Sequence, residues 1–224
     1  MIEDFELKRK QLVEHLRTQL FSEPVLDAFA RVKRECFLPE KMQSASYVDD
    51  AIPIGWNQTI SQPSTIAQML ELLEVQLGLK ILEVGSGSGY VLALLKEMIG
   101  AKGKVFGVEL LPELVEQSKK NLECNGSNRI QIKQADGSEG WKEKAPFDRI
   151  LISAACPFVP KPLFEQLKEG GIAIAPVGDP GFQTLTIMKK INGKPFKKEF
   201  LENYFVFVPL RGEYLKKIQD KIEA

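Results

Sequence analysis

The sequence predicts an α/β fold: a doubly wound, mostly parallel sheet with a helical cap before it and antiparallel strands after it. Three observations carry that expectation. Residues 81–90 read ILEVGSGSGY, a short apolar strand running into three glycines at alternate positions, and residues 91–99 continue at helical spacing. A second apolar strand, residues 104–108, ends in an acid at Glu109, and strand and helix patterns alternate beyond it. Apolar residues before Ile81 recur at helical spacing, whereas those after Thr184 alternate.

Taken in order, Leu12, Val13, Leu16 and Leu20 form the stripe of a first helix. Ser22 and Pro24 start a second, with Val25, Leu26, Phe29, Ala30 and Val32 inward and Pro39 closing the region. Residues 47–69 read as a polar loop broken by Pro53, Gly55 and Pro63; Ser61 or Ser64 is positioned to cap the next helix, which carries Ile66, Met69, Leu70, Leu72 and Leu73. Beyond Glu109 come a helix at 113–122, a strand at 130–132 leading to Asp136 and Gly137, and a strand at 147–152 with Ser153 to Ala155 at its carboxyl end. A helix at 163–167 is expected to stop at Gly170 and Gly171, ahead of a strand at 172–175. Strands around Thr184 to Ile187 and at 205–208 then flank a turn at Asn192 and Gly193. The whole reads as one domain: cap and polar loop (1–75), ligand-binding core (76–180), and closing strands and helix (181–224).

Composition narrows the function. With 224 residues and 44% hydrophobic content, the chain can bury a substantial core. Thirty basic and thirty acidic residues cancel, so no net field favours nucleic acid or an anionic membrane. The charged start, MIEDFELKRK, is unlike a secretory signal, and three cysteines at wide spacing are expected to be free thiols of a cytoplasmic protein. One histidine, His15, leaves little for histidine-based catalysis or metal binding, and it is read as a helix-surface residue.

The glycines lack the G-x-G-x-x-G spacing of dinucleotide sites, and no Walker-type lysine follows them. Glu109 at the end of the second strand can accept hydrogen bonds from both hydroxyls of a ribose and would repel a 2′-phosphate. This pattern resembles the S-adenosylmethionine-dependent methyltransferases. A more specific likeness spans nearly the whole chain: RECFLP at 34–39, Tyr47 with Asp49, PIG at 53–55, QTISQP at 58–63, LEVGSGSGY at 82–90, DGSEGW at 136–141, APFDRI at 145–150, QLKEGG at 166–171, PVG at 176–178 and FVPL at 207–210. In these motifs the chain is similar to the protein-L-isoaspartate O-methyltransferases.

That resemblance implies a Rossmann-like sheet, S-adenosyl-L-methionine as cofactor with S-adenosyl-L-homocysteine as product, and methyl transfer to the free α-carboxylate of L-isoaspartyl residues in damaged proteins. It implies a catalytic role for Ser61, and cofactor contacts at Thr59, Ile60, Ser61, Glu83, Gly85, Gly87, Gly89, Glu109, Leu110, Asp136 and Gly137, the last two at the adenine end, with no metal. The partners are then damaged peptides, with neither nucleic acid nor membrane, and the chain is expected to act as a monomer. Asn57, Ser64, Val91 and Arg211 depart from the commonest family pattern and bear on substrate preference. The competing expectations are a methyltransferase of a small molecule or RNA, for which QTISQP has no purpose, and a cofactor-binding protein without catalysis.

Overall fold

The structure, a computed structural model, describes residues 4–127 and 129–222. Asp4 caps α1 (Phe5–Thr18) by accepting from the Leu7 amide at 2.9 Å, and Leu12, Val13 and Leu16 bury one stripe of it. α2 (Glu23–Arg31) carries proline in its first turn, where the missing N–H costs nothing, and buries Val25, Leu26, Ala28 and Phe29.

The polar loop expected next is instead partly a hairpin, β1 (Ile52–Gly55) and β2 (Gln58–Ile60). Ile52 and Ile54 point inward while Pro53 and Gly55 are exposed, an alternation that proline and glycine obscure in the sequence. The turn holds Trp56 and Asn57 at φ of 51° and 56°, a left-handed conformation that asparagine tolerates. The next helix, α3 (Pro63–Leu72), is capped by neither Ser61 nor Ser64. Gln62 holds the cap position without a side-chain bond, and Asp49 reaches across to accept from the Ser64 amide at 2.8 Å.

The main sheet comprises β3 (Lys80–Val84), β4 (Lys104–Glu109), β5 (Gln131–Gln134), β6 (Phe147–Ile152), β7 (Leu167–Asp179), β8 (Phe182–Ile191) and β9 (Lys194–Phe205), in the order β5-β4-β3-β6-β7-β8-β9. The first five of that order are parallel and the last two antiparallel. Between the parallel strands lie α4 (Tyr90–Ile99), α5 (Pro112–Asn125) and α6 (Lys161–Glu165); α7 (Glu213–Ile222) follows the sheet. Leu151 joins the apolar layer shared with α1 to α4, and Ile150 and Ile152 join the layer shared with α6 and α7, so both faces of the sheet are covered. Strand order reverses between β3 and β6, and the crevice beyond their carboxyl ends is where such sheets bind ligands.

Three expectations are corrected. Gly170 and Gly171 do not end a helix: α6 has already stopped at Glu165, and the glycines lie in an irregular stretch of β7, where the register passes from Phe147↔Leu167 to Arg149↔Ile172. The last strand is β9 rather than residues 205–208. As an edge strand rich in lysine it lacks the apolar alternation that marks a half-buried strand. Finally, Cys36 and Cys124 form a disulfide with their Cα atoms 5.8 Å apart, although 88 residues separate them in sequence. The fold packs the 3₁₀ turn Arg34–Phe37 against α5, a proximity that spacing cannot reveal. Only Cys156 is a free thiol; it is buried, and burial pushes its pKa up to about 12.

Candidate active site

The turn after β3 is lashed to β4. The amides of Gly85 and Ser86 donate to the Val108 carbonyl at 2.9 and 3.3 Å. Glu109 at the tip of β4 reaches back to the same turn: its Oε2 accepts from the Gly87 amide at 2.9 Å, and its Oε1 accepts from the amides of Leu110 and Leu111 at 2.8 and 3.1 Å. A carboxylate has about four acceptor positions. Oε2 therefore keeps one for a further donor, and accepting from two hydroxyls requires release of a backbone amide. A Cβ at Gly87 would lie 3.7 Å from the nearest protein atom, on Ile54, so space does not require the glycine, but its φ of +52° is a left-handed conformation that side chains strain to adopt.

Glu83, the last acid before the glycines, is 1% exposed. Its Oε1 accepts from the Ser153 hydroxyl at 2.7 Å, and its Oε2 has no partner among the described residues. Burial raises its pKa well above the usual carboxylate range; the Ser153 hydrogen bond lowers it, and the charge of Glu109 raises it further. An unpartnered buried carboxylate oxygen fits a cationic ligand group such as an α-ammonium.

Three hollows meet here, with Thr59 and Ser153 lining all of them. The first runs along Gly85, Gly87, Glu109, Leu110 and Gly137 to Arg211. The second is a small well lined by Ile60, Ser61, Glu83 and Val91. The third is an open cleft of about 480 Å³, lined by Ser61, Gln62, Ser64, Thr65 and Gln68 together with residues 204–208. Ser61 belongs to both the well and the cleft, and its hydroxyl has no hydrogen-bond partner among the described residues. The expected residues thus converge, with two exceptions in placement. Gly89 opens α4 and faces Ser118 and Leu122 of α5, so it serves helix packing. Asp136 stands one residue before Gly137, but its Oδ1 accepts from the amide and hydroxyl of Ser138 at 2.9 and 2.6 Å, and it lines none of the three hollows.

Two residues without an assigned role turn out to anchor the segment that carries Ser61, one at Ser61 itself and one at the two neighbours Gln62 and Ser64. Arg34, fully buried, donates to the Ser61 carbonyl at 2.9 Å and lies 4.8 Å from the centre of the Tyr90 ring. Asp49 accepts from the Ser64 amide and from the Gln62 side chain, at 2.8 and 3.2 Å. His15, expected to be a bystander, lies 3.4 Å from the same carboxylate. The motif fragments at 34–39 and 47–49 were the signal for both anchors, and only the fold shows what they anchor. Of the four departures, Ser64 lines the cleft, Val91 the well and Arg211 the first hollow.

A glycine turn braced by a carboxylate at the end of the neighbouring strand, beside a buried orphan carboxylate at the switch point, defines a Rossmann-like ligand-binding protein. Comparison with known proteins is more specific. Residues 7–214 match the family model described as Protein-L-isoaspartate(D-aspartate) O-methyltransferase (PCMT), and the chain belongs to that family. It is 42% identical over 212 residues to protein-L-isoaspartate O-methyltransferase 2 of Archaeoglobus fulgidus, covering 94% of this chain and 96% of that one. It is 44% identical over 212 residues to the Dictyoglomus thermophilum protein-L-isoaspartate O-methyltransferase, covering 94% of each. Among solved structures, a protein-L-isoaspartate O-methyltransferase superposes with a TM-score of 0.88 at 28% identity, over 96% of this chain and 69% of that one. A putative Plasmodium falciparum member, in complex with S-adenosyl-L-homocysteine, gives 0.81 at 25% identity, over 91% and 98%.

Proposed function

We propose that this chain methylates the free α-carboxylate of L-isoaspartyl residues in damaged proteins and peptides, using S-adenosyl-L-methionine, with Ser61 as the residue that orients the acceptor. One observation carries this: Ser61 stands with an uncommitted hydroxyl where the Glu83 well opens into the peptide-sized cleft. When bound, the cofactor supplies a methyl group on a sulfonium. Glu83 would hold the ammonium end, Glu109 the ribose, and Leu110 and Gly137 would wall the base, with Gly85 and Gly87 admitting the backbone of the turn close to the ligand.

In an isoaspartyl residue the chain continues through the side chain, so its α-carboxylate is free and is ionised at neutral pH. It is already a nucleophile and needs no general base, which suits a site whose nearest imidazole, His15, contacts Asp49 rather than Ser61. The work left to the protein is alignment, which can supply roughly 7–11 kcal/mol of a barrier. Ser61 donates one hydrogen bond to the carboxylate, and Arg34 and Asp49 keep the Ser61 loop in place. Methanol then leaves the ester as the next backbone nitrogen closes a succinimide, and hydrolysis of that ring can return aspartate.

The same reading has the chain working as a monomer in the cytoplasm on damaged proteins, without nucleic acid or membrane. Its thirty basic and thirty acidic residues support this, and no helix among the described residues is long and apolar enough to cross a membrane. The test is mass spectrometry of an isoaspartyl peptide and its aspartyl twin incubated with enzyme and cofactor: one methyl on the first and none on the second is expected, and equal labelling contradicts the assignment.

A further inference from the structure

β8 and β9 join through the turn at Asn192 and Gly193, so the open end of their hairpin lies at the carboxyl end of the parallel strands, where β6 ends at Ile152. β8 begins at Phe182, immediately after the tight turn that follows Asp179, and Phe205 of β9 pairs with Gln183. This geometry stacks Phe182 on Tyr204, with ring centroids 4.0 Å apart and planes 27° from parallel. Phe205 and Phe207 pack against the core, whereas Tyr204 and Val206 alternate outward. Phe182, Tyr204 and Val206 are 56%, 62% and 78% exposed.

A stacked aromatic pair left exposed to water, with an exposed valine two residues beyond Tyr204 on the same outward side, points to a contact surface. Their position indicates which. Tyr204 and Val206 belong to the wall of the cleft that also contains Thr59 and Ser61. Its volume of about 480 Å³ lies in the range that seats a ligand much larger than one carboxylate. β9 is also the edge strand, whose outer backbone groups can pair with an extended chain.

We propose that Phe182, Tyr204 and Val206 form a shelf for a bulky apolar side chain adjacent to the isoaspartyl residue, so that this chain favours damaged sites in apolar, strand-forming sequence. The inference rests on the methyl-transfer reading above and adds its substrate preference. The occupant is apolar because the shelf offers two aromatic faces, an isopropyl group and a single hydroxyl, with no charge of its own.

Paired isoaspartyl peptides, identical except for leucine or serine at the flanking positions, test it through the ratio of their kcat/KM values. The wild type is expected to favour the leucine peptide roughly tenfold, the discrimination an apolar contact allows. Tyr204→Phe should keep that ratio. Tyr204→Ala and Phe182→Ala should bring it close to one, through a higher KM for the leucine peptide rather than a lower kcat. A wild-type ratio near one, or a ratio unmoved in both alanine variants, overturns the shelf. Absence of methylation on every isoaspartyl peptide, with cofactor still bound, overturns the functional reading itself and the shelf with it.

Discussion

The Arg34 guanidinium donates from Nη2 to the Ser61 carbonyl over 2.9 Å, joining residues 27 apart in the chain. Nε and Nη1 of this fully buried side chain have no partner among the described residues, and burial lowers its pKa. A buried cation so sparsely bonded is costly to keep, and an apolar replacement is often neutral or stabilising. What it provides is a fixed Ser61.

Arg34→Met should therefore leave the melting temperature unchanged or higher while lowering kcat on an isoaspartyl peptide about tenfold, the equivalent of one displaced hydrogen bond. Melting curves and steady-state kinetics on the same variant separate the two effects. A large loss of stability with normal kcat would make Arg34 a structural residue only.

Glu83 gives a prediction with a sign. Its folded-state pKa is raised above the ordinary 4.5, so the folded protein holds this proton more tightly than the unfolded chain does. Its contribution to stability is full below pH 4.5 and is lost as pH rises toward the folded-state value. Glu83→Gln, which cannot ionise, should thus melt higher than wild type at neutral pH and bind cofactor more weakly. At a pH below its folded-state value, where Glu83 holds its proton, cofactor binding to the wild type should release that proton as an ammonium settles against the carboxylate. Calorimetry in buffers of different ionisation enthalpy measures that release, and an identical heat in all of them would remove Glu83 from the ammonium site.

Glu109 has two duties, because three backbone amides depend on its carboxylate. Glu109→Ala should weaken cofactor binding by about 1.5–3 kcal/mol and also lower the melting temperature, since the amides of Gly87, Leu110 and Leu111 lose their acceptor. Unchanged affinity in a folded variant would exclude Glu109 from the ligand site.

How much of this was legible beforehand follows from what kind of contact each feature makes. β3, α4, β4 and the braced turn could be read because their signals are local: apolar runs, glycines and an acid within one βα unit. Ser61 was legible through its motif. The Asp49 cap on Ser64, the Arg34 bond to Ser61 and the Cys36–Cys124 bridge were not, because each joins segments separated in sequence and leaves no periodicity. β1 and β2 were hidden by proline, glycine and brevity, and β9 by the lysines that protect an exposed edge.

The disulfide closes a long loop, with a sequence separation of 88. On the chain-entropy account such a bridge contributes on the order of 4–5 kcal/mol. Reduction, or the pair Cys36→Ser and Cys124→Ser, should lower the melting temperature by roughly 10 °C in a protein of this size. A melting curve indifferent to reductant would show that the bridge does not contribute.

The most direct test of the account compares wild type and Ser61→Ala on an isoaspartyl peptide, with cofactor affinity measured in parallel. If Ser61 aligns a carboxylate that is already charged, the variant should bind cofactor normally, turn over about ten- to a hundredfold more slowly, and show no rate limb near pH 6–7 from a catalytic histidine. Full activity in Ser61→Ala would contradict the account.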